Sequence, residues 1–170
     1  MKTNPTMNNK TNIGLVEYAK AQLGRPYWYG TFGQKATPAL LSQKRRQYPR
    51  YYTAKDFERQ YGARVHDCIG LIKGYMWSDN ADGKPVYCSN GFADRSADAF
   101  YAFCKRKGAI ATMPEVKGLA VFMKGHVGVY IGDGKVIEAR GHAYGVVQTE
   151  LKKRPWTKWA YIEGIDYGSN

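Results

Sequence analysis

The sequence predicts an α+β fold in which helices come first, a mostly antiparallel sheet follows, and a cysteine-bearing turn lies at their junction. Three observations lead there. Apolar residues recur at helical spacing early in the chain, at Ile13, Val16, Ala19 (or Lys20) and Leu23, and again at Ile69, Ile72 and Met76. Apolar strand-like runs dominate later, in residues 119–123, 126–140, 145–149 and 159–162. With 44% hydrophobic and 24% charged residues, a chain of 170 is long enough for one self-sufficient core without disulfides or metal.

The first helix is capped by Thr11 or Asn12 and ends at Gly24 and Pro26. Tyr27-Trp28-Tyr29-Gly30 then reads as an extended turn. Residues 31–64 hold Lys44-Arg45-Arg46, Tyr48, Arg50, Tyr51 and Tyr52, a pattern that suits either a solvated charge run or contact with an anionic polymer. Asp67 is placed to cap the helix that follows, with Cys68 in its first turn. Unpaired N–H groups and the dipole of a helix start favour a thiolate, whereas a lone cysteine beside Ile and Leu is often simply buried. That stretch alone leaves the two readings open. Residues 78–94, rich in Asn, Asp and Gly, read as a loop containing Cys88. Ser96 caps a second amphipathic helix with an apolar face of Ala99, Phe100, Phe103 and Cys104. Lys105, Arg106 and Lys107 suit the end of its dipole, and Gly108 closes it.

Residues 125–140 are two alternating runs joined by Gly132-Asp133-Gly134, a β-hairpin signature. Its register follows from where charge would fall. A two-residue loop would pair Ile131 with Val136 and put Glu138 and Arg140 on the face of Val127, Val129 and Ile131. A three-residue loop, with Gly134 left-handed, pairs Ile131 with Lys135 and shifts every side chain by one. Val127, Val129, Ile131, Ile137 and Ala139 then share one face. His126, Gly128, Tyr130, Glu138 and Arg140 share the other, with His126 and Glu138 as diagonal neighbours. A histidine oriented by a carboxylate is what a cysteine nucleophile needs as its base.

Asp67-Cys68-Ile69-Gly70-Leu71, the run from His126 to Ile137, and the preceding Gly24-Arg25-Pro26-Tyr27-Trp28-Tyr29-Gly30 together resemble the NlpC-type papain-like cell-wall peptidases. The resemblance spans about residues 12–165, leaving 1–11 as a flexible N-terminus and 166–170 as a tail. It implies a compact papain-like fold with the cysteine helix packed on the sheet, and cleavage of amide bonds in peptidoglycan stem peptides. By position it implies Cys68 as nucleophile, His126 as base and Glu138 as the orienting third residue. It also implies substrate binding by Asp67 and by Tyr27 or Tyr29, aromatic packing under the first helix being the equal alternative for the tyrosines. Glutamate at the third position is similar to a phage-borne branch of the family and to the related CHAP amidases. Two departures stand out: Ile69 occupies the place of a serine that, with the aspartate, helps hold the stem peptide's free amine, and residues 31–64 are an insertion.

A net charge of +12, from 26 basic and 14 acidic residues, implies an acidic partner. No nucleic-acid-binding motif is present, so the phosphate-rich polymers of a bacterial wall are the favoured partner. No apolar run is long enough to cross a membrane, and residues 1–10 lack the apolar core of a signal peptide. Action at the cell wall then requires a phage-type release route or a larger parent protein. Three cysteines cannot all pair, so at least one is a free thiol. His66 and His142 fall at no metal-ligand spacing, and the chemistry needs neither metal nor cofactor. A non-catalytic wall-binding or phage structural module, and an acyltransferase on the same scaffold, are the competing classes.

Overall fold

The computed structural model describes residues 10–78 and 83–168; the expected flexible N-terminus falls almost wholly outside the described residues. Its helices are α1 (Asn12–Ala21), α2 (Pro38–Gln47), α3 (Gly70–Met76) and α4 (Ala97–Phe103). Its strands are β1 (Phe32–Lys35), β2 (Arg64–His66), β3 (Lys107–Ala109), β4 (Ala120–Met123), β5 (His126–Gly132), β6 (Lys135–Ala139), β7 (Val146–Glu150) and β8 (Lys158–Ala160). Strands β3 to β8 form one antiparallel sheet in the order β3-β8-β4-β5-β6-β7, while β1 and β2 make a separate two-stranded ribbon. No described helix is long and apolar enough to cross a membrane.

Local chemistry explains the helix starts. Thr11 accepts the Gly14 N–H at 3.0 Å and Ser96 accepts that of Ala99 at 3.2 Å, each satisfying a donor the helix itself cannot. The face α1 buries is Leu15, Val16 and Ala19; Ile13 and Leu23, expected on that stripe, are more than a third exposed. In α4 the buried residues are Ala97 and Phe100, while Phe103 is largely exposed beneath the Arg95 guanidinium. The basic run after α4 does not extend the helix. Cys104 turns extended and residues 107–109 become an edge strand, from which Lys107 Nζ still reaches back to the Tyr101 and Ala102 carbonyls. The segment expected as a tail is tied in through residue 168: Asp166 pairs with Thr11, and the Tyr167 hydroxyl donates to the Gly118 carbonyl at 2.8 Å.

The sheet is buried on both faces. Val127, Val129, Ile137 and Ala139 pack under α1, α3 and α4, while Leu119, Val121, Tyr130, Val136 and Trp156 form a second cluster behind them. The hairpin reaches the expected faces by a different backbone. Asp133 (φ 53°) and Gly134 (φ 71°) form a two-residue turn with both residues left-handed, and the extra residue lies in β5, where pairing jumps from Tyr130↔Val136 to Gly132↔Lys135. One extra residue in the strand or in the loop shifts parity equally, so Val129 still faces Ile137. What the alternation missed is that the second face is dry: Tyr130 and Glu138 are fully buried.

Residues 31–64 make β1, α2 and two short 3-10 turns around their own cluster of Trp28, Leu41, Tyr52, Phe57 and Val65. This unit leads through β2 directly into the cysteine turn. His66, at the end of β2, is wholly buried; its Nε2 hydrogen-bonds the Tyr18 hydroxyl at 2.7 Å and its Nδ1 has no partner. Burial, with Arg64 and Arg25 acting in the same direction, pushes its pKa down to about 3 from 6.5. The unfolded chain therefore binds a proton that the native chain refuses. This stabilisation is complete above pH 6.5 and lost as pH falls toward 3, at about 1.4 kcal/mol per pH unit, or about 2 kcal/mol by pH 5. A falling Tm between pH 7 and pH 5 that becomes flatter in His66→Gln is the expected result of a calorimetric pH series. Equal slopes in both proteins would remove His66 as the cause.

Candidate active site

Cys68 stands in the turn between β2 and α3, two residues ahead of the helix rather than within its first turn. Asp67 holds that turn from both sides: its Oδ1 accepts the Gly70 N–H at 2.6 Å and its Oδ2 accepts the Gly30 N–H at 3.0 Å. The first bond is the capping contact legible in the sequence; the second joins the turn to the Tyr-Trp-Tyr-Gly segment. Gly70 is required where α3 meets the chain entering β1, since a Cβ there would lie 1.9 Å from the Thr31 carbonyl oxygen. Ile69, Ile72 and Met76 bury the apolar side of this helix.

The half-buried Cys68 thiol points at the start of β5. Its Sγ lies 4.0 Å from the Gly125 carbonyl oxygen, and the Val127 N–H also acts on it. The sulfur is thus set against the main chain on both sides of His126. Burial, reinforced by the Asp67 carboxylate, pushes the thiol up to about 12 against the opposing N–H groups of Val127 and Ile69. The expected lowering by the helix start is outweighed, because the helix begins later than expected and the sulfur is packed rather than solvated.

His126 presents Nε2 to Glu138 Oε1 at 2.9 Å, leaving Nδ1 as its other nitrogen. Its ring stacks on Trp156, with centroids 5.4 Å apart and planes 14° apart. Glu138 is enclosed. Thr149 Oγ1 donates to Oε2 at 2.5 Å, and Arg154 donates Nε to Oε2 at 3.2 Å and Nη2 to Oε1 at 2.7 Å. Burial by itself would raise the Glu138 pKa; the hydrogen bonds from His126, Arg154 and Thr149 overcome it and hold the carboxyl down at about 2. Gly125, before His126, gives its N–H to Asp98 Oδ1 of α4 at 2.8 Å.

The tyrosines separate. Tyr29 lines a cavity of about 610 Å³ that Asp67 and Ile69 also line, and stacks on Tyr51 at 3.7 Å. Tyr27 packs partly buried against the main core close to Cys68, and burial raises its hydroxyl pKa. His142 joins none of this, since its Nε2 bonds Asp56 Oδ1 at 2.6 Å. Cys88 is exposed and Cys104 buried, and no described group of His, Cys, Asp and Glu side chains is arranged to hold a metal.

Sequence reasoning missed Arg154, Thr149, Trp156 and Asp98. Thr149 alternates along β7, so pairing it beside Glu138 needed only the strand order; Arg154 and Trp156 come from an irregular segment with no periodic signal.

The architecture decides the fold. It superimposes on NlpC2 from Trichomonas vaginalis with a TM-score of 0.52 (15% identity, 94% of this chain and 49% of that one). NlpC1 from the same organism gives 0.50 (18% identity, 94% and 49%), and the P60 domain of a Mycobacterium avium subspecies paratuberculosis antigen gives 0.50 (21% identity, 92% and 98%). The fold is the one these NlpC and P60 structures share. The chain spans about half the length of the two Trichomonas proteins. No family model and no curated protein sequence matches the chain.

Proposed function

We propose that the chain is a cysteine peptidase that hydrolyses amide bonds in peptidoglycan stem peptides through a thioester, with Cys68 as nucleophile, His126 as base and Glu138 as orienting residue. The observation that carries this reading is the His126–Glu138 bond, made with the nitrogen that leaves Nδ1 free, in a ring whose flanking main chain abuts the Cys68 sulfur. A carboxylate on Nε2 fixes the tautomer in which that nitrogen carries hydrogen and Nδ1 accepts the thiol proton.

With the thiol pushed up to about 12, a resting thiolate is disfavoured, so proton transfer to His126 accompanies attack on the carbonyl. The C–S bond forms, the carbonyl electrons move to oxygen, and the Cys68 N–H stabilises that oxyanion. His126, now cationic, protonates the leaving amine as the C–N bond breaks. It then takes a proton from water as the water oxygen attacks the thioester carbonyl; the C–S bond breaks, His126 returns that proton to the Cys68 sulfur, and the acid is released. Trp156 and Glu138 hold the ring through both half-reactions, and the glutamate stabilises its positive charge.

The carboxylate third residue supports the finer reading of a lysin-like, phage-branch hydrolase acting at the bacterial wall. Mass spectrometry of purified muropeptides after incubation tests the reaction: new fragments should appear in pairs whose masses sum to the parent plus one water, split at a stem-peptide amide. Muropeptides bound but left intact would favour a wall-binding module, and mass gained from an amine or lipid acceptor would favour an acyltransferase.

A further inference from the structure

The cavity beside the cysteine turn is lined by a buried cation that makes no ion pair of its own. Both chain neighbours of Cys68 line it, together with Lys44 and Tyr48 from the 31–64 unit and Lys73 from α3. Its fixed acids are already engaged. Asp94 is paired with Lys73 at 2.5 Å, and each Asp67 oxygen accepts a main-chain N–H. Lys44 is only 7% exposed, yet its Nζ has a neutral acceptor, Gln47 Oε1 at 3.2 Å, and the Tyr48 ring face 5.6 Å away. Among the described residues no carboxylate lies within ion-pair distance of it. A desolvated ammonium without a carboxylate is costly, and an anion entering the cavity would relieve that cost.

The neighbouring groups set what that anion is. In the family the sequence resembles, the aspartate before the cysteine and a serine after it help hold the stem peptide's amine; here Ile69 replaces the serine and Asp67 is spent on Gly30 and Gly70. Of the two lysines that line the cavity, Lys44 is the one with no carboxylate within ion-pair distance among the described residues. We infer that the cavity binds a free carboxylate of the stem peptide through Lys44, so that the protein selects substrates whose carboxyl is free over those in which it is amidated. The inference rests on the stem-peptide reading and names a specificity determinant for it. Burial lowers the Lys44 pKa, and the charges of Asp67 and Asp94 oppose that lowering.

Calorimetric binding to the Cys68→Ala protein tests this without turnover. The probes are synthetic stem tetrapeptides, fully acidic, amidated at the D-glutamate α-carboxyl, or amidated at the C-terminus. One amidation is expected to weaken binding by at least about tenfold. Adding Lys44→Met should abolish that difference and adding Lys44→Arg should keep most of it, with Lys44→Gln serving if the methionine variant does not fold. Equal affinity for all three peptides, no detectable binding of any, or a preference that survives the loss of Lys44 each overturns the inference. Hydrolysis by the unmodified protein is scored separately. A Lys44-dependent preference without hydrolysis would sink the peptidase reading alone, and hydrolysis without the preference would sink only the role of Lys44.

Discussion

Cys68→Ala is expected to abolish stem-peptide hydrolysis, a loss of at least about 10⁴-fold in kcat, while the protein stays folded. The Cys68 sulfur has only weak partners, the Gly125 carbonyl at 4.0 Å and the N–H groups of Val127 and Ile69, so its removal leaves little unsatisfied. Cys88→Ala should leave turnover unchanged. Cys104→Ala should lower stability by about 1 kcal/mol, because that side chain is only 2% exposed, and leave the chemistry intact. Thiol alkylation does not rank these residues by catalytic role. Cys88 is exposed, whereas Cys68 is half-buried and held up at about 12 in the resting protein, so Cys88 is expected to alkylate first even with Cys68 as nucleophile. The decisive comparison is kcat across the three single variants, with Tm as the folding control. Cleavage that persists in Cys68→Ala, or is lost only in Cys88→Ala, would remove Cys68 from the mechanism.

What the sequence revealed and what it hid divide along one line, between local and distant causes. The Thr11 and Ser96 caps, the Asp67 bond to Gly70 and the two faces of the hairpin rest on residues within a few positions of one another, so pattern alone reaches them. The hairpin also shows that side-chain parity is more legible than backbone path, since a bulge in β5 and a longer loop give the same faces. The misplaced stripe of α1 has a distant cause. Ile13 is left exposed because Leu15, Val16 and Ala19 meet the main core, a choice set by the position of α3 and the sheet. The small core of residues 31–64 draws on Trp28 and Val65 from outside that segment, which composition could not signal. Dryness of the Glu138 face is the largest omission. Alternation showed which residues share that face, and only the segment around Arg154 and Trp156 decides that water is excluded from it.

That enclosure makes Glu138→Ala the variant with the largest combined effect on stability and turnover. Removing the carboxylate leaves the Arg154 guanidinium, 18% exposed, and the Thr149 hydroxyl without their acceptor, and breaking such a buried pair costs about 3–5 kcal/mol. The pH linkage agrees in sign and size. A carboxyl held at about 2 against an ordinary 4.5 contributes about 3 kcal/mol above pH 4.5, lost as pH falls toward 2. Glu138→Gln is not a mild change here. Its carbonyl would still accept from His126, but its amide nitrogen would meet the Nε–H of Arg154, a donor against a donor. Both single variants are therefore expected to lose stability, and kcat should fall by about 10²-fold or more as His126 loses its charged orienting partner. Adding Arg154→Met to Glu138→Gln removes the clash and the stranded cation together. The double variant should be more stable and faster than Glu138→Gln alone, although slower than the unmodified protein. His142→Ala, by contrast, should leave turnover intact, because that ring is bonded to Asp56. Urea unfolding and muropeptide turnover across the four variants measure both effects. Full activity in Glu138→Ala would end its role as orienting residue, and a double variant no better than Glu138→Gln would show that Arg154 does not govern how the glutamate acts on His126.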